Sequence, residues 1–200
     1  MMTLFVGPDA LPRCGWAGAA PEFLEYHDNE WGFPVADDLQ LFEKLCLESF
    51  QSGLSWRTIL SKRENFRRAF AGFDFRDVAH YGPHDVTRLL ADAGIVRHRG
   101  KIEAAIANAG ATVDLVRDVG SLAKYVWAYE PSPEGAASTA SPVSSSVRLS
   151  KDLRARGFRF VGPTTILAFM QASGLVNDHA PECCIHPLAR QGRERFVLPT

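Results

Sequence analysis

The chain has 200 residues, 46% of them hydrophobic and 22% charged, with a net charge of −1. That length suits one domain, or two small lobes around a shared cleft, and buries a sizeable core without staples. A near-zero net charge excludes a global field for a polyanion, and no apolar run is long enough to cross a bilayer.

Residues 1–12 read as a flexible leader. Pro21 opens a short helix through Phe23, Leu24, Tyr26 and His27 that ends near Gly32. Asp37 and Asp38 are N-cap candidates for a helix carrying Leu39, Phe42, Leu45, Cys46 and Ser49, broken by Gln51-Ser52-Gly53. Ser55 caps the next helix, with Ile59 and Leu60 facing inward. Residues 85–93 form a helix stopped by Gly94. Another runs from about Gly100 to Arg117, and Ser121 to Trp127 is short and helical. Residues 131–146 are Pro, Ser, Ala, Gly and Thr with almost nothing to bury, which predicts a mobile surface loop. A charged helix then leads to Gly157–Gly162, a glycine-bracketed hairpin, and Pro163 opens an apolar helix. Residues 187–200 are expected to be a tail. No segment alternates over strand length, so the expected fold class is all-α.

Three groups of residues suggest chemistry. Cys14 and His27 near one end, with His179 and Cys183 near the other, make a full tetrahedral set for zinc. A closed set of four ligands leaves no position for water, so such a metal is structural. Two surface histidines and two buried thiols explain the same residues equally well. Cys184 is an alternative ligand to Cys183, and His186 a weaker rival of His179. Glu48 follows Leu45, Cys46 and Leu47 on an apolar helix. Between Trp56 and Tyr26, its carboxylate would suit a flat, cationic, hydrogen-bonding ring. Pairing with an arginine, the aromatics being plain core, is the simpler explanation. The hairpin, beside Lys151, Arg154, Arg156 and Arg159, offers backbone N–H groups and a helix N-terminus to a phosphate. A plain helix–helix turn looks the same. The four cysteines do not space like a disulfide framework, and no secretory signal opens the chain, so a reducing cytoplasm is expected.

Together these residues resemble one family. RCGW (13–16), YHDNEWG (26–32), LFEKLCLESFQSGLSW (41–56), KREN (62–65), AGIVRHRGKI (93–102), LSKDLRARGFRFVGPTT (149–165) and FMQASGLVNDHAPECC (169–184) resemble, in order, the type I 3-methyladenine DNA glycosylases of bacteria. These belong to the helix-hairpin-helix glycosylase group. The resemblance implies two helical lobes around a base pocket, in a single domain over 13–186, with the termini tied by one structural zinc on Cys14, His27, His179 and Cys183. It implies a base pocket of Glu48, Tyr26, Trp56 and Phe23, with Glu48 as the catalytic group. It implies a DNA-contacting hairpin over 157–162, so that Gly157, Arg159, Phe160, Gly162 and Thr164 meet DNA. The expected partner is double-stranded DNA containing 3-methyladenine, and the expected state a monomer. Phe23 departs from the tyrosine common in the family, and Ser49 and Ser52 replace small residues. Related helix-hairpin-helix enzymes use an aspartate after the hairpin. Here Asp178 is the nearest, and it reads as a cap or a support for His179. A non-catalytic damaged-DNA-binding module is the alternative, which retention of Glu48 and Trp56 disfavours. A catalytic zinc is a third reading, which four ligands disfavour.

Overall fold

The computed structural model describes residues 3–131 and 141–200. Two strands, β1 (Leu4–Val6) and β2 (Pro12–Cys14), pair antiparallel with Phe5 opposite Arg13. The expected flexible leader is therefore structured from Leu4 onward. The Arg13 guanidinium donates to both Asp9 oxygens at 2.7 and 2.8 Å, which closes the turn between the strands. Three-residue strands are too short to reveal an alternating pattern.

Eleven α-helices follow among the described residues: α1 (Pro21–Asn29), α2 (Asp38–Gln51), α3 (Trp56–Leu60), α4 (Arg63–Ala69), α5 (Phe75–Val78), α6 (Pro83–Ala91), α7 (Arg99–Val119), α8 (Leu122–Trp127), α9 (Pro142–Ala155), α10 (Pro163–Ala172) and α11 (His186–Arg195). The fold is thus almost wholly helical, with one small hairpin. None of the described helices is long and apolar enough to cross a membrane.

Helix α2 is the axis of the molecule. Every residue from Leu41 to Phe50 is buried, and α3, α7, α8 and α10 pack around it. A helix enclosed on all sides must bury its polar residues too, and α2 buries Glu43, Lys44 and Glu48. Its two expected caps divide the work. Asp37 accepts from Gln40 N at 2.8 Å and caps α2, whereas Asp38 accepts from Leu122 N and Ala123 N at 3.1 and 2.8 Å and caps α8. Beside α2, Phe50, Phe66, Phe70 and Phe73 form a chain of rings 4.7 to 6.2 Å apart. Ile59 is fully buried as expected, but Leu60 is only half-buried.

Two boundaries differ from the sequence reading. Residues 132–140 of the expected loop lie outside the described residues, and Pro142 to Ser146 already form the first turns of α9, capped by Ser141. The expected tail contains α11. The Phe196 ring lies 4.5 Å from that of Trp127, and Arg193 pairs with Glu130 at 2.5 and 2.6 Å. Four of the ten residues of this helix are charged and only Ala189 is buried, so its anchoring side chains do not form an apolar stripe.

Candidate active site and metal centre

Cys14 ends β2, His27 lies on α1, and His179 and Cys183 lie in the segment after α10. All four are buried, and their ligand atoms lie within 4.8 Å of one another. His27 Nδ1 donates to Asp28 at 2.7 Å, and His179 Nε2 donates to the Trp31 carbonyl at 3.0 Å. Both rings therefore turn an unprotonated nitrogen inward, and these two lone pairs face each other at 3.2 Å. Such an arrangement is repulsive unless a cation lies between them. The sulfurs complete the set. Cys14 Sγ is 3.7 Å from His179 Nδ1, and Cys183 Sγ is 3.6 Å from His27 Nε2. Burial lowers the pKa of His179 to about 4 and raises that of Cys14 to about 11. The alternative of surface histidines is excluded, and the cluster has the donor set of a metal site.

Local chemistry holds these side chains in place. Asp28 also accepts from Arg13 Nε and Nη2 at 2.9 and 2.8 Å, so Arg13 joins the strand turn to the His27 support. Gly32 has φ +82°, and a Cβ there would meet His179 Nε2 at 2.9 Å. The expected role for Asp178 changes. Asn177 Oδ1 accepts from His179 N at 3.3 Å, while Asp178 accepts from Gln171 Nε2 at 2.7 Å.

A cavity of about 230 Å³ adjoins the cluster. Tyr26 and Trp56 form two of its walls, their ring centroids 5.2 Å apart at 43°. Phe23 and Trp16 form another side, edge to face at 5.9 Å. Glu48, Gln51, Trp31, Ala168 and Gln171 complete the lining. All four residues expected at a base pocket therefore meet in one place. Trp16 and Trp31 carry no signal of their own in the sequence, although they stand in RCGW and YHDNEWG. Trp16 lines the pocket and packs against the Cys2His2 cluster, with its ring 5.1 Å from that of His27.

Glu48 is 6% exposed and has no hydrogen-bond or ion-pair partner among the described residues. Burial pushes its pKa up to about 7, and the Lys44 charge opposes that rise. The arginine pairing expected from a structural carboxylate is absent among the described residues. Trp56 Nε1 is likewise buried with no partner among the described residues. An acceptor without a partner in an aromatic cavity is what a polar, flat ligand would complete.

A second hollow, lined by Glu48, Gln51 to Leu54, Thr164, Thr165 and Ala168, leads from the pocket to the start of α10. There Gly157 has φ +90° and ends α9, and Gly162 stands at the N-cap of α10. Phe158 and Val161 are buried anchors, whereas Arg159, Phe160 and Thr164 are exposed. The buried Asn108 clamps the hairpin, accepting from Arg159 N at 2.7 Å and donating to Arg159 O at 3.0 Å. Ser150 Oγ donates to Val161 O at 2.7 Å. Neither polar clamp was anticipated.

The geometry agrees with comparisons to known proteins. The family model of the methyladenine glycosylases matches residues 16–186. DNA-3-methyladenine glycosylase 1 of Escherichia coli is 47% identical over 183 residues, covering 88% of this chain and 98% of that protein. A crystal structure of a 3-methyladenine DNA glycosylase I superposes with a TM-score of 0.80 at 48% identity, covering 88% of this chain and all of the other. Another, a variant in complex with 3-methyladenine, gives 0.79 at 37% identity, covering 87% of this chain and 97% of that one. The aromatic pocket around Glu48 and the ordered blocks leading to it thus have one explanation, and this chain belongs to the methyladenine glycosylase family.

Proposed function

We infer that the protein is a base-excision repair glycosylase that releases 3-methyladenine from alkylated DNA by hydrolysing its N-glycosyl bond. The observation that carries this reading is the buried, unpaired carboxylate of Glu48 in a cavity walled by Tyr26 and Trp56. It is supported by relatives named for that activity and by a related structure holding 3-methyladenine.

Alkylated adenine carries a formal positive charge that weakens its bond to the sugar, so the leaving base needs no protonation. The target nucleotide leaves the duplex and enters the cavity, which costs a few kcal/mol and least for a damaged base. Tyr26 and Trp56 offer π faces to the cation, Phe23 adds a wall, and Glu48 accepts hydrogen bonds from the adenine edge. The C1′–N bond breaks with its electron pair going to the base, which leaves neutral. Water adds to C1′ and loses its proton to solvent, leaving an abasic site with the strand intact. Normal adenine keeps a strong bond and supplies no cation for Glu48, so it is spared.

Residues 13–186 form the glycosylase domain, and α9, the 157–162 hairpin and α10 act as a helix-hairpin-helix unit on double-stranded DNA. Gly157, Arg159, Phe160, Gly162 and Thr164 hold the backbone while the base is extruded. One structural zinc fits Cys14, His27, His179 and Cys183. Zinc's bond lengths in a tetrahedron give edges of about 3.3 Å between nitrogens and about 3.6 Å between nitrogen and sulfur. The two nitrogens stand 3.2 Å apart and three of the nitrogen–sulfur pairs 3.6 to 3.7 Å, the whole set lying within 4.8 Å, so that a bound zinc would draw the remaining pair inward. Bound there, zinc would tie the β2 and α1 end of the chain to the segment after α10. A monomer is proposed, and light scattering tests it. The activity is tested by incubating methylated DNA with the protein and identifying the free base. Release of 3-methyladenine is expected, and DNA binding with no release would indicate a damaged-DNA sensor instead.

A further inference from the structure

Lys44 lies on α2 one turn before Glu48 and is 5% exposed. Residues four apart share a helix face. Its ammonium donates to Glu30, which follows α1, and stands 5.8 Å from the centroid of the Tyr26 ring. Glu30 is held in turn by Arg63 of α4, at 2.5 and 2.9 Å, and Arg63 Nε donates to Glu43 at 2.5 Å. A chain of charges thus runs from α4 to α2 and ends at Lys44, one turn before Glu48 and beside the Tyr26 ring, both of which line the pocket.

Structure alone gives little reason for a lysine here. A buried ion pair is often no more stabilising than an apolar residue of similar size, and a methionine would fill the same space. The position relative to Glu48 supplies a reason. A carboxyl group buried among aromatic rings with no hydrogen bond tends to the neutral acid, which cannot attract a cation. The titratable groups facing Glu48 are Lys44 on its own helix and Tyr26 on α1. The neighbouring lining residues Trp56 of α3 and Ala168 and Gln171 of α10 carry no charge. Lys44 itself faces Glu30, Glu43, Arg63 and Tyr26. Tyr26 stays a neutral phenol, because burial and the charge of Glu48 both oppose its ionisation. Burial lowers the pKa of Lys44, but the carboxylates of Glu30 and Glu43 oppose that and its ammonium donates to Glu30, so Lys44 is the cation, among the described residues, that favours the charged form of Glu48.

We propose that Lys44 is a positioning residue for base recognition, which keeps Glu48 in its carboxylate form and is itself held in place by Glu30 and Arg63. The proposal rests on the reading of Glu48 as the group that recognises the cationic base. Replacing Lys44 leaves Glu30 paired with Arg63, so no buried charge is stranded.

The test is kcat/KM for release of 3-methyladenine from methylated duplex DNA, measured from about pH 5.5 to about pH 9. Wild type, Lys44→Met, Lys44→Gln, Lys44→Arg and Glu48→Gln are compared, with a thermal melt of each. In Lys44→Met and Lys44→Gln the acidic limb should move to higher pH. The rate near pH 6 then falls about tenfold and returns to the wild-type value near pH 9, while Lys44→Arg follows wild type. An unmoved acidic limb, or an equal loss at every pH, would overturn the proposal and leave Lys44 a packing residue. Two substitutions of different shape guard against one that fails to fold. Glu48→Gln separates the two levels. If it is as active as wild type at every pH, the pocket reading falls as well. If it is inactive while Lys44→Met and Lys44→Gln show no pH shift, only the role of Lys44 falls.

Discussion

Asp28 accepts the Nδ1 proton of His27 at 2.7 Å, and that one bond decides which nitrogen of His27 faces Cys183 and His179. A carboxylate behind a ligating histidine sets the tautomer and raises the ring's basicity. Asp28→Asn should therefore keep the fold but weaken metal affinity by about 10- to 100-fold, read by competition with a chromogenic chelator. Unchanged affinity would count against the assignment of these four residues as ligands.

Elemental analysis of the purified protein should find about one zinc per chain. Chelation should lower the thermal midpoint. At a free zinc concentration of about 1,000 times Kd, the metal contributes about 4 kcal/mol that chelation removes. Cys14→Ser should bring the melt close to that of the chelated wild type. A zinc-free preparation of full stability would rule the metal out.

Glu48 sets activity against stability. Its raised pKa, about 7 against an ordinary 4.5, comes from burial. The folded state thus binds its proton more tightly than the unfolded chain does. The resulting cost is absent below the unfolded value and grows until the pH passes the folded one. Glu48→Gln should therefore stabilise the protein at pH 8 by on the order of 3 kcal/mol, with little effect near pH 4. The same variant should release 3-methyladenine about 100-fold more slowly. Denaturant melts at the two pH values and a base-release assay check both statements.

At the hairpin, two substitutions should separate position from charge. Asn108→Ala removes both hydrogen bonds to Arg159 and should destabilise the fold by about 2 kcal/mol. It should also weaken DNA binding, because the hairpin loses its clamp. Arg159→Ala should leave stability nearly unchanged. It should weaken binding to damaged and undamaged DNA alike and reduce the salt dependence by about one counterion. Fluorescence anisotropy at several salt concentrations distinguishes the two.

Much of the fold is legible where the signal is local. Pro21 and Pro163 mark helix starts, Asp37 and Ser55 mark caps, and Gly157 marks a left-handed stop. Each depends on a few neighbouring residues. The paired strands at Leu4–Val6 and Pro12–Cys14 are less legible, because three residues carry no period. Helix α11 is missed because it is anchored by Arg193 on Glu130 and Phe196 on Trp127, partners more than sixty residues away. Asn108 reads as a stray polar residue on an apolar helix until the hairpin is seen against it.

The same division runs through the site. The sequence alone determined which residues were available: a Cys2His2 set, a carboxylate on an apolar helix, two aromatics and a glycine-bracketed hairpin. It left open whether Glu48 was paired and whether the Cys2His2 set met. Only the tertiary structure decided these points. It gathered the two cysteines and two histidines within 4.8 Å, left Glu48 without an ion-pair partner among the described residues, and put Lys44 between Glu30 and the Tyr26 ring. The reason is physical: the identity of a side chain sets what charge it can carry, but the state it adopts depends on burial and on neighbours contributed by distant segments.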